Sequence, residues 1–418
     1  MPHCNERQAE RGSADPQRNS QQTGQPHLAF GTAAGRETRA PWPTPKARYV
    51  MIGGFLGAGK TTAVAKLARE LAGTGLRVGL ITNDQGQNLV DTAMFRSQGF
   101  ATEEIPGGCF CCRFNSLLEA AEKLTARARP EVFVAEPVGS CTDLLATVTY
   151  PLRRIYGDKF EVAPVSVLVD PVRASRVFGL EKGGTFSAKV LYIYKKQLEE
   201  ADLLIISKRE LLDPERLESL RQAIALEFPG KEIMAVSVKT EENLRAWFDK
   251  LTGREQAGRT AMAVDYELYA QGEALLGWLN CAAQVSARKA FDTGKFLKEL
   301  AGQVQARLNA AQAEVAHLKM TLSPDSGLGE IAAVNLVRND FVPELSQELE
   351  EPVKSGQLII NLRAEAPPEL LGSIVREALA VISRAFPTLQ QNIEHIEQFR
   401  PGKPVPTHRF QAVEARCQ

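Results

Sequence analysis

The sequence predicts an α/β fold, a mostly parallel sheet covered by helices, followed by a smaller C-terminal α+β domain. Three observations point there. Between residues 47 and 251, short apolar runs alternate with amphipathic stretches of about ten residues or more, the rhythm of β-α-β units. Those runs are apolar throughout, as in strands buried on both faces. Beyond residue 262 the rhythm changes to several strands around two long helices, 293–313 and 367–386.

Residues 1–46 are rich in Gln, Arg, Gly, Pro, Ser and Thr and show no apolar periodicity, so they read as a disordered tail. An apolar run from Ala47 then reads as a buried parallel strand. A Gly-rich loop follows, and a Lys-Thr pair opens a helix. Gly54, Gly59, Lys60 and Thr61 fit G-x-x-x-x-G-K-[ST] in a strand–loop–helix context, the pattern of a P-loop. In such a loop, backbone N–H groups surround phosphate oxygens, and the helix N-terminus adds its dipole. Lys60 is placed to reach the outer phosphates, and Thr61 to offer its hydroxyl to Mg²⁺.

A second strand, 77–84, delivers Asn83 and Asp84 to the sheet edge where ligands bind in open α/β sheets. Asp84 is a candidate for Mg²⁺, against the plainer reading of an Asx turn. Residues 85–100 read as an irregular, switch-like stretch with a short helix. Gly107-Gly108-Cys109-Phe110-Cys111-Cys112 precedes a helix at 114–128. A helix start is expected to lower thiol pKa values. Three thiolates suit a soft ion such as Zn²⁺, Cu⁺, Ni²⁺ or Co²⁺ and leave one coordination position open. The plainer reading is buried structural cysteines.

A third strand, from Glu131, runs into Glu136-Pro137-Val138-Gly139. A carboxylate and a glycine at a strand end beside a P-loop suit a γ-phosphate sensor. In that role Glu136 binds Mg²⁺ or positions water, and the Gly139 N–H meets the phosphate. Cys141 opens a helix to about Tyr156 and is a candidate fourth metal ligand. Further strands are expected at 165–170, 202–206 and 232–238, with helices at 186–200, 214–227 and 242–251. The later strands are expected at 276–287, 317–322, 331–338, 358–362 and 393–399, with an acidic partner loop at 339–356. With the two helices, they suggest an arrangement related to the ferredoxin-like fold. The expected domains are 47–255 and 262–400, with a tail at 401–418. His317, His395 and His408 are scattered and read as structural.

Composition sets the outer limits. The chain has 418 residues and 44% apolar content, enough for two or three domains with real cores. Lys plus Arg equals Asp plus Glu at 50 each, so nothing argues for general nucleic-acid binding. No apolar stretch approaches the ~20 residues of a membrane span, and no basic-then-apolar leader opens the chain. The expectation is a cytoplasmic protein. Three of the seven cysteines fall within four residues, which in a large cytosolic chain suggests thiolate or metal chemistry before disulfides.

The P-loop run, the cysteine run and Glu136-Pro137-Val138-Gly139 together resemble the CobW/HypB/UreG-like P-loop GTPases, nearest the CobW-type metallochaperones. The resemblance is good over 47 to about 250 and loose beyond. It implies GTP and Mg²⁺ as cofactors, with slow hydrolysis in the absence of a partner. It places phosphate binding on Gly54, Gly57, Ala58, Gly59, Lys60, Thr61 and Thr62, with Gly139 at the γ-phosphate. It places Mg²⁺ on Thr61 with Asp84 or Glu136, and catalysis on Lys60, Glu136 and Asp84. A cargo ion, Zn²⁺, Co²⁺ or Ni²⁺, falls to Cys109, Cys111 and Cys112. Guanine is read in this family by N/T-K-x-D. Here Ser207-Lys208-Arg209-Glu210 stands in that place, with Ser207 and Glu210 departing from the pattern and Ser237 resembling the second base-contact loop. The His-rich linker common in such proteins is absent from 253–260. The implied partner is a client metalloprotein or corrinoid-related protein, with a nucleotide-dependent homodimer as a further expectation. Three alternatives remain: an activator that remodels a metalloenzyme without carrying an ion, a small-molecule kinase, and a non-catalytic scaffold.

Overall fold

The computed structural model of the protein describes residues 46–83, 90–253, 261–326 and 329–410. The first sheet holds β1 (Ala47–Gly54), β2 (Val78–Asn83), β3 (Ala101–Ile105), β4 (Val132–Glu136), β5 (Phe160–Val162), β6 (Ser166–Val169), β7 (Leu203–Ile206) and β8 (Glu232–Ala235). Its order is β3-β2-β4-β1-β6-β7-β8, with β5 also on β1, and the pairings are parallel. Around it lie α1 (Lys60–Gly73), α2 (Val90–Ser97), α3 (Phe114–Ala128), α4 (Tyr150–Ile155), α5 (Pro171–Val177), α6 (Ala188–Glu200), α7 (Pro214–Glu227) and α8 (Leu244–Thr252).

β1 shows why a continuous apolar run was needed. Tyr49 and Met51 enter the core beneath α3 and α6, while Val50 and Ile52 enter the opposite core with Leu67 of α1 and Trp247 of α8. Successive side chains on a strand point to opposite faces, so a strand covered on both faces must be apolar at every position.

The second unit comprises α9 (Tyr266–Glu273), β9 (Leu276–Phe291), α10 (Thr293–Ala310), β10 (Glu314–Pro324), β11 (Ala332–Leu336), β12 (Glu344–Gln347), β13 (Val353–Glu365), α11 (Pro368–Ala385) and β14 (Leu389–Phe399). The sheet is antiparallel, in the order β12-β11-β10-β13-β9-β14. Without the β11–β12 pair, this is the 4-1-3-2 order of a β-α-β-β-α-β ferredoxin-like sheet. Part of the acidic 339–356 stretch is therefore sheet and not loop, because β12 pairs with β11 and β13 begins at Val353.

The expected helix from Cys141 starts late. Leu145–Thr149 form a π-turn before α4. Pro151 has no N–H to donate, which loosens the preceding turn. The two units share a core: Leu276, Trp278 and Ala316 pack with the residues beneath the first sheet. Val90 and Met94 of α2 pack on Ile331 and Ile359 of the second unit. Among the described residues, no helix is long and apolar enough to cross a membrane.

Candidate functional site

The loop between β1 and α1 is built on glycines whose backbone angles other residues rarely adopt. Gly54 has φ 132°, and a Cβ there would lie 2.6 Å from the Leu168 carbonyl oxygen of β6. Gly59 caps α1 in the left-handed region at φ 96°. Gly57, at φ 80°, faces the second unit, where a Cβ would meet the Ala316 carbonyl oxygen at 3.0 Å. Ala58 is buried, and its carbonyl accepts from Ser207 Oγ at 2.8 Å. Lys60 is buried and its Nζ donates to the Gly54 and Phe55 carbonyls, at 2.9 and 3.3 Å, within the loop it would serve. Thr62 is exposed on α1.

Thr61 Oγ1 lies 2.9 Å from Glu136 Oε1 and 3.0 Å from Asp91 Oδ1. Lys319 Nζ, on β10, donates to both Thr61 Oγ1 (3.0 Å) and Asp91 Oδ1 (2.5 Å). An ammonium group thus sits among the hydroxyl and carboxylate oxygens that a hard cation would use. Glu136 Oε2 is buried without a hydrogen-bond partner among the described residues. Burial, with the Asp91 charge, pushes the Glu136 carboxyl up to about 7, against the pull of Lys319 and Lys60. Asp84 lies outside the described residues. Asp91 and Lys319 were missed in the sequence. Asp91 had a local signal, being acidic in the first turn of the expected short helix. Lys319 had none.

Gly139 packs directly on the loop: a Cβ there would fall 2.6 Å from Leu56 Cδ2 and 3.0 Å from Leu56 N. After β7, Ser207 Oγ ties the loop through Ala58. Lys208, at φ 49°, donates to the Gly57 carbonyl (2.9 Å) and to Asp170 Oδ2 (2.8 Å). Asp170 is buried, which opposes ionisation, but Lys208 and Arg338 hold its carboxyl below the usual range. Glu210 is exposed on a short 3₁₀ turn, Arg209–Leu211. Ser237 is buried, and its Oγ accepts from Thr240 N at 2.9 Å.

The cysteine turn hangs from the same sheet edge. Asn83, at the end of β2, donates through Nδ2 to the carbonyls of Ile105 (2.9 Å) and Gly108 (2.6 Å). The Cys112 and Arg113 N–H groups close the turn onto the Cys109 carbonyl, and α3 begins at Phe114. The Sγ–Sγ distances are 2.8 Å for Cys109–Cys111, 3.3 Å for Cys109–Cys112 and 3.7 Å for Cys111–Cys112. These sulfurs are a set that could hold one ion. At Cys111 and Cys112 the expectation that the helix start lowers thiol pKa values is corrected. Hydrogen bonds with Cys109, Cys112 and Cys141, with burial, push Cys111 well up, and the hydrogen bond with Cys109, with burial, pushes Cys112 up to about 11 against the pull of Cys111.

Residues 401–410 lie across this turn. Val405 N donates to Cys112 Sγ at 3.2 Å, and Thr407 N to the Cys111 carbonyl at 2.9 Å. His408 stacks edge-on against Phe114, centroids 5.1 Å apart, and Arg409 Nε donates to Asp143 Oδ2 at 2.6 Å. No sequence signal marked this segment, because Cys112 and Val405 lie 293 residues apart.

Residues 48–234, a little under half of the chain, match the family model described as CobW/HypB/UreG, nucleotide-binding domain. The chain is 26% identical over 178 residues to the zinc chaperone YeiR of Escherichia coli (strain K12), covering 42% of this chain and 50% of that protein. It is 29% identical over 205 residues to the zinc chaperone CobW of Sinorhizobium sp, covering 44% of this chain and 57% of that one. The match thus spans about half the length of these curated relatives. Among solved structures, Zn(II)-bound YjiA GTPase from E. coli aligns over 81% of this chain and 99% of its own, at 14% identity and a TM-score of 0.35. HypB from Helicobacter pylori in complex with nickel aligns over 49% of this chain and 84% of its own, at 18% identity and a TM-score of 0.35.

Proposed function

Because this chain belongs, through residues 48–234, to the CobW/HypB/UreG family of nucleotide-binding proteins, we propose that it is a GTP-hydrolysing metallochaperone. In this reading, nucleotide state controls how a soft transition ion is held at Cys109, Cys111 and Cys112. One observation carries it. The thiol turn is fixed through Asn83 to the end of β2, on the sheet edge that also carries the phosphate-binding loop. A change at the nucleotide therefore has a short, hydrogen-bonded route to the sulfurs.

The residues fit the groups they would hold. Thr61, Glu136 and Asp91 offer hard oxygen donors, and Glu136 Oε2 accepts no hydrogen bond among the described residues. That donor set suits Mg²⁺, which supplies charge neutralisation across the phosphates. Lys60 balances charge on the transferring phosphoryl group, and Glu136 orients the attacking water. Asp84 shares the acidic role with Asp91. Gly139 reads the presence of the outer phosphate through its contact with Leu56. Ser207 and Lys208 position the loop against the base, with Glu210 and Ser237 lining the base side. The thiols take a soft ion as cargo. The names of the curated relatives favour zinc, and the recipient is a client metalloprotein.

The test is a Zn²⁺ titration of the reduced protein with no nucleotide, with Mg-GDP and with a non-hydrolysable Mg-GTP analogue, alongside a phosphate-release assay. The expected result is one ion per chain, lost when the three cysteines are replaced, with affinity shifted at least several-fold between nucleotide states. By linkage, zinc must then shift nucleotide affinity by the same factor. No binding in any state would overturn the cargo reading and favour an activator that remodels its client.

A further inference from the structure

The stretch that carries Glu136 to the phosphate-binding loop does not end there. Two residues after Gly139 it brings Cys141, 2% exposed, to the thiol turn. Cys141 Sγ lies 3.9 Å from Cys111 Sγ. A tetrahedral centre with metal–sulfur bonds of about 2.3 Å has sulfur–sulfur edges of about 3.8 Å. The Cys111–Cys141 and Cys111–Cys112 separations, 3.9 and 3.7 Å, are both close to that length.

The backbone around Cys141 is fixed on both sides. Gln197 Nε2 donates to the carbonyls of Gly139 and Cys141, each at 2.9 Å. Tyr269 OH donates to the Ser140 carbonyl and accepts from Thr142 N, each at 3.2 Å. Anchoring groups behind a ligand are what hold a metal site in shape.

We propose that Cys141 is the fourth thiolate ligand of the ion held by Cys109, Cys111 and Cys112. The proposal rests on the reading of the thiol turn as a metal site and deepens it. The centre is then a closed four-sulfur site, and the three-sulfur turn alone is not the whole ligand set. The thiol protons leave to solvent as the ion binds. Three ligands come from the turn before α3. The fourth comes from the segment that touches the nucleotide loop, with Glu136 five residues upstream and Gly139 against Leu56. Cys141 is therefore the ligand through which the nucleotide site addresses the ion. Withdrawing it converts a closed site into an open one, which suits transfer.

The experiment titrates reduced, full-length protein with Co²⁺ and reads thiolate-to-metal charge-transfer absorption and the visible bands of the ion. For wild type, one Co²⁺ per chain is expected, with tetrahedral visible bands. Cys141→Ser is expected to lose about a quarter of the charge-transfer intensity and to bind at least about tenfold more weakly. Cys281→Ser, at a buried cysteine of the second unit, is expected to match wild type. Sulfur counting by X-ray absorption on wild-type protein loaded with Zn²⁺ needs no variant and should return four sulfurs. A wild type that binds neither ion would overturn the metal-site reading itself. Binding by wild type with an unchanged Cys141→Ser, or a count of three sulfurs and one lighter atom, would overturn the assignment of Cys141 alone.

Discussion

Glu200 is fully enclosed beneath the segment that follows Cys141. Its Oε2 accepts from Leu144 N at 2.5 Å, and its Oε1 accepts from Thr142 Oγ1 at 3.2 Å. Burial, with the Asp143 charge, pushes its carboxyl from 4.5 up to about 8. The folded state therefore holds a proton that the unfolded state has released across that window. Its contribution to stability is present below about 4.5 and is lost as pH rises towards 8, at up to about 1.4 kcal/mol per pH unit. Glu200→Gln keeps an acceptor for Leu144 and offers an amide donor to Thr142, so the fold should survive. Urea unfolding at pH 5 and pH 8 should show a smaller difference in the variant than in wild type. An equal difference would place the titrating proton elsewhere. Glu136 and Glu273 are also raised, to about 7 and about 8, so part of the wild-type slope will remain.

At the scale of elements, β10 matters most, because it carries Lys319 across to the acidic cluster of the first sheet. Lys319→Met keeps the length of the side chain and removes its charge. Asp91 and Glu136 then face each other without their ammonium, at a cost of about 1–2 kcal/mol for a partly buried pair. Thermal unfolding of nucleotide-free protein should show the loss, and added Mg²⁺ should restore more stability to the variant than to wild type. Equal Mg²⁺ effects would mean that the ammonium and the ion do not share a place.

Elements of this kind divide into those the sequence showed and those it hid. β1, α1 and α3 were legible because each has its own period and punctuation: an all-apolar run, glycines, and a helix opening after a turn. β3 was not, because Thr102, Glu103 and Glu104 make a polar edge strand with no apolar run. β9 and β14 run longer than expected, because Arg288, Lys289 and Gln390 to Asn392 interrupt the apolar pattern, while Phe291 pairs with Val353 of β13 and Leu389 with Ala287 of β9. The site divides in the same way. The phosphate loop and the cysteine turn are local patterns. Asp91, Lys319 and the residues over the thiols reach the site through contacts between distant parts of the chain, which periodicity does not record.

At the scale of the whole molecule, residues 401–410 bring a distant part of the chain over the outer sulfur. Val405→Pro removes the N–H that Cys112 Sγ accepts, at a position already flanked by Pro404 and Pro406. Zinc release to an excess of chelator should quicken several-fold in this variant, with little change in the unfolding midpoint of the metal-free protein. Unchanged release would make the segment a bystander to the ion.

The placement of Lys319 also has a consequence for biosynthesis. The first sheet and its helices are complete once α8 has been made, but the cation for Thr61, Asp91 and Glu136 belongs to a strand made roughly seventy residues later. At about 5–20 residues per second, the newly folded half waits several seconds with two neighbouring carboxyls and no lysine between them. During that interval a proton or a divalent ion has to do the work of the missing side chain, so a nascent chain should depend on Mg²⁺ in a way that the finished protein does not.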